Sequence, residues 1–325
     1  MENAKVQILL ATCNGEKYLR EQLESLRNQT YGDWECLISD DCSADSTLDI
    51  INEYCEMDSR FILVSKGHRY YSASYNFLHL LSVSNADYIL FCDQDDYWLS
   101  NKVEMLVDKI IEESRGESNI PICVFSDARI VNSNLEPYIS DSFQSTLELD
   151  AKNVELLDLM TSNVVQGCAS VINRKLVEIV VDSSDFAYFP VYDWFFGAIA
   201  KSQGKLVYIP DRLHLYRQHD SNSVGAHKST IIKWIKNLIN SEKECKGGIK
   251  EEIKRESWIF ARGRRILNEF TPRNDCDVKE LEYLTSFIDA KFCDKIRILN
   301  HYKWFGTFIG FKISLFIVCF RAYTW

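Results

Sequence analysis

Short apolar runs alternate with segments of helical periodicity in the first third of the chain, and this alternation constrains the fold more than any other feature. The apolar runs have the length of strands, and the segments between them place apolar residues at helical spacing, as at Leu19, Leu23 and Leu26. This alternation predicts an α/β fold with a mixed, mostly parallel sheet and helices on both faces. The predicted strands are residues 6–12, 34–40, 61–65 and 87–93, and the predicted helices are residues 16–28, 44–54, 73–83 and 100–113, the last capped by Ser100.

From residue 115 the pattern becomes mixed, and from residue 228 it is helical and polar. We therefore expect residues 1–225 to form the α/β domain and residues 226–325 to form a helical C-terminal extension, with a break between helices at 243–248. The further predicted elements are strands at 122–131 and 205–210, a strand entering a helix at 164–176, and a helix at 191–202.

Charge separates these two parts. The chain has a net charge of −10, which argues against nucleic-acid binding, because that binding depends on neutralising phosphates with Lys and Arg. Residues 226–325 nevertheless carry 19 Lys and Arg against 12 Asp and Glu. The acidic excess therefore lies in residues 1–225, where metal or sugar chemistry is expected, whereas the basic part suits an acidic partner or a membrane surface.

The 11 cysteines do not indicate a disulfide scaffold. They lie singly, with no CxxC pair, and the sequence MENAKVQILLAT lacks the features of a secretory signal. We expect free thiols in a reducing cytosol.

Acidic residues follow two of the predicted strands. Asp40 and Asp41 follow the second, and Asp93, Asp95 and Asp96 follow the fourth. Because the carboxyl ends of parallel strands meet at one edge of a sheet, all five carboxylates are predicted to converge there. Their repulsion requires a cation or specific hydrogen-bond donors. The turns carry neither GxGxxG nor GxxxxGK[ST], which counts against dinucleotide-binding and P-loop proteins.

The pair Asp93 and Asp95 matches what a hard divalent cation needs. Mg²⁺ and Mn²⁺ prefer oxygen ligands and bridge one or two carboxylates to substrate phosphates. Such an ion also neutralises a diphosphate leaving group as its bond to a sugar breaks. An Asp-x-Asp turn alone is weak support, because most acidic turns are simply solvated. Its place after the fourth strand, beside Asp40 and Asp41, strengthens the metal hypothesis.

The sequence also resembles a known family. The run VQILLATCNGEKYLREQLESLRNQTYGDWECLISDDCSADST resembles the N-terminal signature of family-2 glycosyltransferases of the GT-A fold, and FCDQDDYW is similar to their DxD segment. The stretches QGCASVINRKL, YDWFFGAIA and LYRQHDSNSVG are similar to a bacterial subgroup of rhamnosyltransferases that build surface polysaccharides. The resemblance covers residues 5–225 in ordered blocks.

This resemblance implies roles for individual residues. Asp193 lies at the position of the catalytic base, and Asp93 and Asp95 at the positions of metal ligands, with Asp93 also near the ribose. One departure is Cys42, where the family usually has Gly, so a turn that needs positive φ would be strained there. The implied nucleotide-sugar ligands are Thr12, Asn14, Asp40, Asp41, Asp93, Gln94, Arg217 and His219, and the additional site candidates are Asp96, Trp98 and Trp194.

Alternatives remain for the later motifs. The aromatic surroundings of Asp193 would raise its pKa toward that of a useful base, but Asp is also a favoured helix N-cap, and both roles are compatible. Arg217 and His219 either contact the leaving diphosphate or form a surface loop that pairs with Asp211 or Asp220.

The apolar run at 304–320 is shorter than the ~20 residues of a spanning helix, and Lys312 interrupts it. Its basic flanks and terminal tryptophans suit a helix that lies on an anionic membrane surface. The alternatives are packing on the α/β domain or on a second copy of the chain, as in a homo-oligomer.

Together these observations predict an inverting glycosyltransferase that uses Mg²⁺ or Mn²⁺ and a nucleotide-diphospho-sugar donor. By resemblance, the donor is dTDP-L-rhamnose and the acceptor is a lipid-linked bacterial surface glycan at the cytoplasmic face of the membrane. The alternatives are a UDP-hexose donor or a non-catalytic module that binds nucleotide-sugars or glycans. A nucleotidyltransferase is disfavoured because TCNGEKY lacks the Gly-rich loop of that class.

Overall fold

The computed structural model describes residues 4–117, 119–138, 142–147, 149–183, 186, 188–219, 248–286, 290, 294 and 297, with side chains in the helix at 248–269 from residue 258 onward. The strands are β1 Val6–Thr12, β2 Trp34–Asp40, β3 Phe61–Ser65, β4 Tyr88–Asp93, β5 Tyr97–Trp98, β6 Ile122–Val131, β7 Ser170–Asn173 and β8 Lys205–Arg217. The helices are α1 Leu19–Arg27, α2 Thr47–Met57, α3 Ala73–Val83, α4 Lys102–Ser114, α5 Asp158–Thr161, α6 Arg174–Ser183, α7 Tyr192–Gln203, α8 Gly248–Glu269 and α9 Asp275–Ser286.

These eight strands form one sheet in the order β3-β2-β1-β4-β7-β6-β8-β5. Neighbours among β3, β2, β1 and β4 are parallel, β7 runs antiparallel between β4 and β6, and β8 is parallel to β6. The predicted mixed, mostly parallel sheet is therefore confirmed.

Alternation along the central strands buries both faces of the sheet. On β1, Ile8 and Leu10 belong to a buried cluster with residues of α1, α2 and α4. On β4, Phe91 points to the other face, where its ring meets Phe77 of α3 at 5.6 Å and Phe196 of α7 at 5.3 Å. Helices therefore cover both faces, because apolar residues of both parities need a partner layer.

The register of the parallel strands aligns the acidic residues at one edge. Thr12 pairs with Asp40 across β1 and β2, and Ala11 pairs with Asp93 across β1 and β4. The loops after β1, β2 and β4 consequently leave the sheet side by side. In α/β sheets, ligands bind at this edge, beside the carboxyl ends of the parallel strands.

The chain divides into two compact units, one of residues 1–155 and 163–226 and one of residues 156–162 and 227–325. In the second unit, Gly263 of α8 lies against Leu281 and Leu284 of α9, which are both buried, and this packing confirms a helical C-terminal part. A domain boundary at residues 225 and 226 stays a prediction.

Segments 243–247 and 304–320, which carried the predicted helix break and the apolar terminal run, lie outside the described residues. Among the helices that are described, none combines the length and the apolar character needed to cross a bilayer. The eight cysteines within the described parts are free thiols.

Candidate active site

Asp40, the last residue of β2, holds the end of β1 and the loop after β2 together. This carboxylate is wholly buried and accepts hydrogen bonds from Thr12 Oγ1 (2.9 Å), from the Ser43 backbone N–H (2.9 Å) and from Ser43 Oγ (2.6 Å). Asp40 and Thr12 therefore lock the ends of β1 and β2 together. Contact of either residue with a nucleotide stays a prediction.

Asn14 and Gln94 shape the rim of the loop after β1. Asn14 has a left-handed backbone (φ 49°), and its Oδ1 accepts from the Ala44 N–H at 2.8 Å. Gln94 accepts from the Cys13 N–H at 2.8 Å and donates to the Cys13 carbonyl at 3.0 Å. A side chain at Gly15 would clash, because its Cβ would lie 2.3 Å from Gln94 Oε1. The β1 and β4 loops are thus clamped to each other.

Asp41 holds the loop that follows β3. Its Oδ1 accepts a short hydrogen bond from the Tyr70 N–H, and the Tyr70 ring stacks on His79 with centroids 5.1 Å apart. Cys42, next in the chain, has φ 58°. The turn therefore does adopt the left-handed conformation that the usual glycine would favour, and it does so with a side chain present.

Asp93 and Asp95 form the half-buried acidic centre of the edge. Burial, with the nearby charge of Asp95, raises the pKa of Asp93 to about 7. Asp95 Oδ2 lies 2.8 Å from His219 Nε2, and the His219 ring lies against Tyr18 with centroids 4.9 Å apart. The acidic centre and the motif at the end of β8 are thus brought together.

Arg217 lies beneath this centre and is 1% exposed. Its backbone N–H donates to Asp96 Oδ1 (3.1 Å), its Nε to the Asp95 carbonyl (2.7 Å), and its Nη1 to the Ser133 carbonyl (2.6 Å). Its Nη2 forms a short ion pair with Glu21 of α1. These contacts brace the loop at residues 94–96, the proposed metal loop, and direct contact with a diphosphate stays a prediction.

Asp193 lies in the first turn of α7, and the N-cap position belongs to Val191. Its Oδ1 accepts from Asn163 Nδ2 at 2.9 Å, and its Oδ2 accepts from the Gly167 N–H at 2.8 Å. It also accepts backbone hydrogen bonds at the start of its own helix, from Asp193 and Trp194. The carboxylate therefore serves the helix terminus and a neighbouring loop together.

The environment of Asp193 favours a proton acceptor. Burial raises its pKa to about 6 in spite of the hydrogen bonds that lower it. Its charge also raises the pKa of Asp93, so the two carboxylates share one electrostatic site. A carboxylate with this pKa is ionised at neutral pH and still basic enough to accept a proton.

The remaining candidates lie around these groups. Trp98 is fully buried, and the Lys102 ammonium lies 3.8 Å from the centroid of its ring. Trp194 is half-buried and meets Phe189 edge to face at 6.2 Å. Asp96 is fully buried, and its carboxylate lies within 4.8 Å of Cys168 Sγ and His214 Nε2.

Two sets of side chains offer donors to a cation. Asp93 and Asp95 present oxygens at the half-buried edge, and the mutual repulsion that raises the pKa of Asp93 is what a hard divalent ion would relieve. The set of Asp96, Cys168 and His214 is closed by protein on all sides. Of these two sets, the first is partly exposed to solvent and the second is buried.

Several positions around the site received no role from the sequence. Tyr18, Glu21 and Gly167 lie within the family-like runs without a role assigned to them, and Lys102 and Asn163 lie outside those runs. Their types and spacings are ordinary for helices and loops, and only the tertiary fold shows what they touch.

The comparisons with known proteins agree on one family. Residues 7–116 match the profile described as Glycosyl transferase family 2. The chain is 30% identical over 235 residues to the dTDP-rhamnosyl transferase RfbG of Shigella flexneri, covering 69% of this chain and 76% of that protein.

A second relative is the E. coli enzyme WfgD, a UDP-Glc:alpha-D-GlcNAc-diphosphoundecaprenol beta-1,3-glucosyltransferase. It is 29% identical over 134 residues, which cover 41% of this chain and 49% of that protein. Among solved structures, S. aureus TarS 1-349 in complex with UDP-GlcNAc aligns with a TM-score of 0.57 and 16% identity, over 87% of this chain and 71% of that one. At 16% identity, the likeness to this structure shows a shared fold alone.

Proposed function

The chain belongs to glycosyl transferase family 2, and from that premise we propose that it transfers L-rhamnose from dTDP-L-rhamnose to a hydroxyl group of a lipid-linked bacterial surface glycan, with inversion at the anomeric carbon. The observation that carries the proposal is the pairing of Asp193, whose pKa is raised to about 6, with the acidic centre of Asp93 and Asp95 at the same edge of the sheet. Asp193 can accept a proton, and the acidic centre can hold a cation that in turn binds the anionic diphosphate of the donor.

The reaction is a single displacement. Asp193 accepts the proton of the acceptor hydroxyl as that oxygen attacks the anomeric carbon from the side opposite the diphosphate. The bond between the sugar and the diphosphate breaks, and the electron pair leaves with the diphosphate. One displacement inverts the anomeric configuration and forms no covalent sugar–protein intermediate.

Asp93 and Asp95 would hold Mg²⁺ or Mn²⁺, with His219 fixing the orientation of Asp95 through its 2.8 Å contact. The ion, when bound, supplies charge that neutralises the leaving diphosphate. Gln94 and Asn14 keep the neighbouring loops in place through their backbone hydrogen bonds.

The choice of donor and acceptor rests on relatives. RfbG is named a dTDP-rhamnosyl transferase and shares sequence with this chain over most of both proteins, which supports dTDP-L-rhamnose. WfgD is named for a diphosphoundecaprenol-linked acceptor, which supports a lipid-linked acceptor here, and its UDP-Glc donor makes a UDP-hexose the second candidate. A lipid-linked acceptor would place the protein at the cytoplasmic face of the membrane.

The proposed function is tested in two steps. Thermal-shift measurements with dTDP-L-rhamnose and UDP-glucose, each with and without Mn²⁺, should rank the donors, because a ligand that binds the native state raises the melting temperature. Transfer assays with Asp193→Asn should then show binding without turnover. A wild-type protein that binds a donor yet never transfers the sugar would be a non-catalytic binding module, and an Asp193→Asn variant with full activity would exclude Asp193 as the base.

A further inference from the structure

Lys102 is a buried cation that the proposed reaction does not use. It is the first residue of α4 and is 0% exposed, although lysine at the start of a helix normally reaches into solvent. Burying an ammonium costs several kcal/mol unless close partners offset the loss of hydration. Burial lowers its pKa to about 8. A buried ammonium of this kind therefore indicates a specific interaction with its neighbours.

The contacts of Lys102 point toward two loops of the site. Its Nζ donates to the Cys168 carbonyl at 2.5 Å and lies 3.8 Å from the centroid of the Trp98 ring. Trp98 belongs to β5, directly after the loop that carries Asp93 and Asp95. Cys168 belongs to the 3-10 turn Gly167–Ala169. The ammonium therefore joins the metal loop to that turn.

The same turn holds the base. The Gly167 N–H, one residue before the carbonyl that Lys102 binds, donates to Asp193 Oδ2 at 2.8 Å. The turn is packed tightly against α7, since a Cβ at Gly167 would lie 2.1 Å from the Tyr192 hydroxyl. Ser170 Oγ donates to the Gly167 carbonyl at 2.8 Å and so holds the peptide unit that lies between the Gly167 N–H and the Cys168 carbonyl. A shift of the Cys168 carbonyl would therefore move the donor of Asp193.

A simpler role would be neutralisation of Asp96. That carboxylate is fully buried, and the charge of Lys102 acts on it. However, the hydrogen bond of the ammonium goes to a backbone carbonyl rather than to Asp96. Charge compensation alone does not require that contact, whereas positioning of the turn does.

We propose that Lys102 is a positioning residue for Asp193: by fixing the Cys168 carbonyl it sets the Gly167 N–H against the base, and through Trp98 it ties that base to the metal loop. The inference rests on the proposed function, because it assigns Lys102 to the geometry of the same reaction. It concerns the orientation of Asp193, and Lys102 itself touches neither substrate nor ion.

The test compares Lys102→Met with Lys109→Met. Both lysines lie on α4, but Lys109 is partly exposed and pairs with Glu112 and Glu113, so its variant controls for the loss of a helix lysine. The pKa of Asp193 is measured by NMR in protein labelled with carboxyl-¹³C aspartate, with the signal assigned by Asp193→Asn. This readout does not depend on turnover, so it remains valid even if the proposed activity fails.

Lys102→Met should raise the pKa of Asp193 above its value of about 6, because a weakened Gly167 hydrogen bond no longer favours the ionised carboxylate. The other titratable groups near Asp193 are Asp93, Tyr192 and Cys123, and of these Asp93 also feels the charge of Lys102, which lowers its pKa. The Asp93 signal is therefore followed in the same spectra, and Lys102→Met should raise its pKa as well. In an active enzyme kcat should fall roughly 10- to 100-fold, as expected for a displaced catalytic group, with the donor KM within about two-fold. Lys109→Met should match the wild type.

A second local variant separates Asp193 from Asp93. Asn163→Ala removes the side-chain donor of Asp193 together with the two hydrogen bonds of Asn163 to the Val165 backbone, and its effect on kcat should be non-additive with Lys102→Met if both act through one carboxylate. A folded Lys102→Met protein with unchanged Asp193 pKa and unchanged kcat would overturn the proposal. So would additive effects in the double variant. If Lys102→Met does not fold, Lys102→Gln replaces it, and failure of both to fold while Lys109→Met folds would assign Lys102 a purely structural role.

Discussion

At the scale of the residue, aspartates with the same side chain differ in their hydrogen bonds and pKa values because their surroundings differ. Asp40 is fully buried and receives three hydrogen bonds from Thr12 and Ser43, so it stabilises the loop. Asp93 lies at the same edge of the sheet, opposite Ala11, and burial together with the nearby charge of Asp95 raises its pKa to about 7. Asp193 accepts hydrogen bonds from Asn163 and Gly167, and burial raises its pKa to about 6. One residue type thus supplies a brace for the loop and, in the proposed function, an ion ligand and a base.

The pKa of Asp193 predicts the acid limb of the rate profile. Only the ionised carboxylate can accept the acceptor's proton, so kcat/KM should be constant above pH 7 and fall about ten-fold per pH unit below about 6. The limb is measured as kcat/KM for the acceptor between pH 4.5 and 8.5, with the donor and the metal saturating. A profile that stays flat down to pH 5 would contradict the assignment.

The conformation of Cys42 predicts a stabilising substitution. A non-glycine residue in the left-handed region costs roughly 1–2 kcal/mol, and the entropy of glycine in the unfolded chain offsets about half of that. Cys42→Gly should therefore raise the free energy of unfolding by roughly 0.5–1 kcal/mol. Urea unfolding of the variant measures the gain.

Cys42→Ser is the matched control, because serine keeps a Cβ and the same strain. It should show no gain in the free energy of unfolding. Equal stability of the glycine and serine variants would mean that the φ of 58° carries no cost at this turn.

At the scale of the element, local periodicity accounts for the central sheet. Strands at 6–12, 34–40 and 61–65 and the helix at 73–83 are confirmed with the predicted bounds, because each run has the length and the apolar periodicity of its element. The helices predicted from residues 16 and 44 begin at Leu19 and Thr47 instead. Their expected first turns form cross-loop contacts, such as the Glu16 N–H to Asp45, that no local pattern encodes.

The site was predictable where its residues directly follow strands. Asp40, Asp93 and Asp95 could be located from the order of strands, because the sheet alone brings them to one edge. Arg217 could be named from its motif, but its buried bracing position depends on Glu21 and Ser133, both far away in sequence. Long-range contacts of this kind leave no periodic signal.

The bracing role of Arg217 predicts a loss of stability. Arg217→Met removes charged hydrogen bonds to the Asp95 and Ser133 carbonyls, which should lower the free energy of unfolding by roughly 2–3 kcal/mol. Arg212→Met, on the same strand β8, is the control, because Arg212 is half-exposed and its 3.8 Å contact with Asp127 should contribute less than about 1 kcal/mol. Urea unfolding measures both variants, and equal losses in their free energies of unfolding would contradict the bracing role.

At the scale of the whole molecule, the two charge excesses have different explanations. The acidic excess of residues 1–225 includes carboxylates whose repulsion is met by donors such as Thr12, Ser43 and Arg217, and by an ion at Asp93 and Asp95 as proposed. The basic excess of residues 226–325 has no such partner in the proposed reaction. Both the proposed lipid-linked acceptor and the basic extension would suit an anionic membrane surface.

This view of the extension predicts vesicle binding that depends on its basic residues. Lys295 and Lys303 precede the apolar run at 304–320. Each lysine near an anionic surface contributes about 1 kcal/mol to the free energy of membrane binding. Lys295→Gln with Lys303→Gln should therefore weaken sedimentation with phosphatidylglycerol vesicles by about 30-fold, and high salt should weaken it further.

Lys152→Gln with Lys175→Gln removes the same charge from the first unit and serves as the matched control. If attraction came from total charge, the two double variants would lose equal affinity, since each changes the net charge of −10 by the same amount. Binding through the extension instead requires that only the first pair matters. A net-negative protein that still binds anionic vesicles, and loses that binding only through Lys295 and Lys303, must separate its charges in space. Equal losses, or no binding by the wild type, would leave the basic extension to a protein partner.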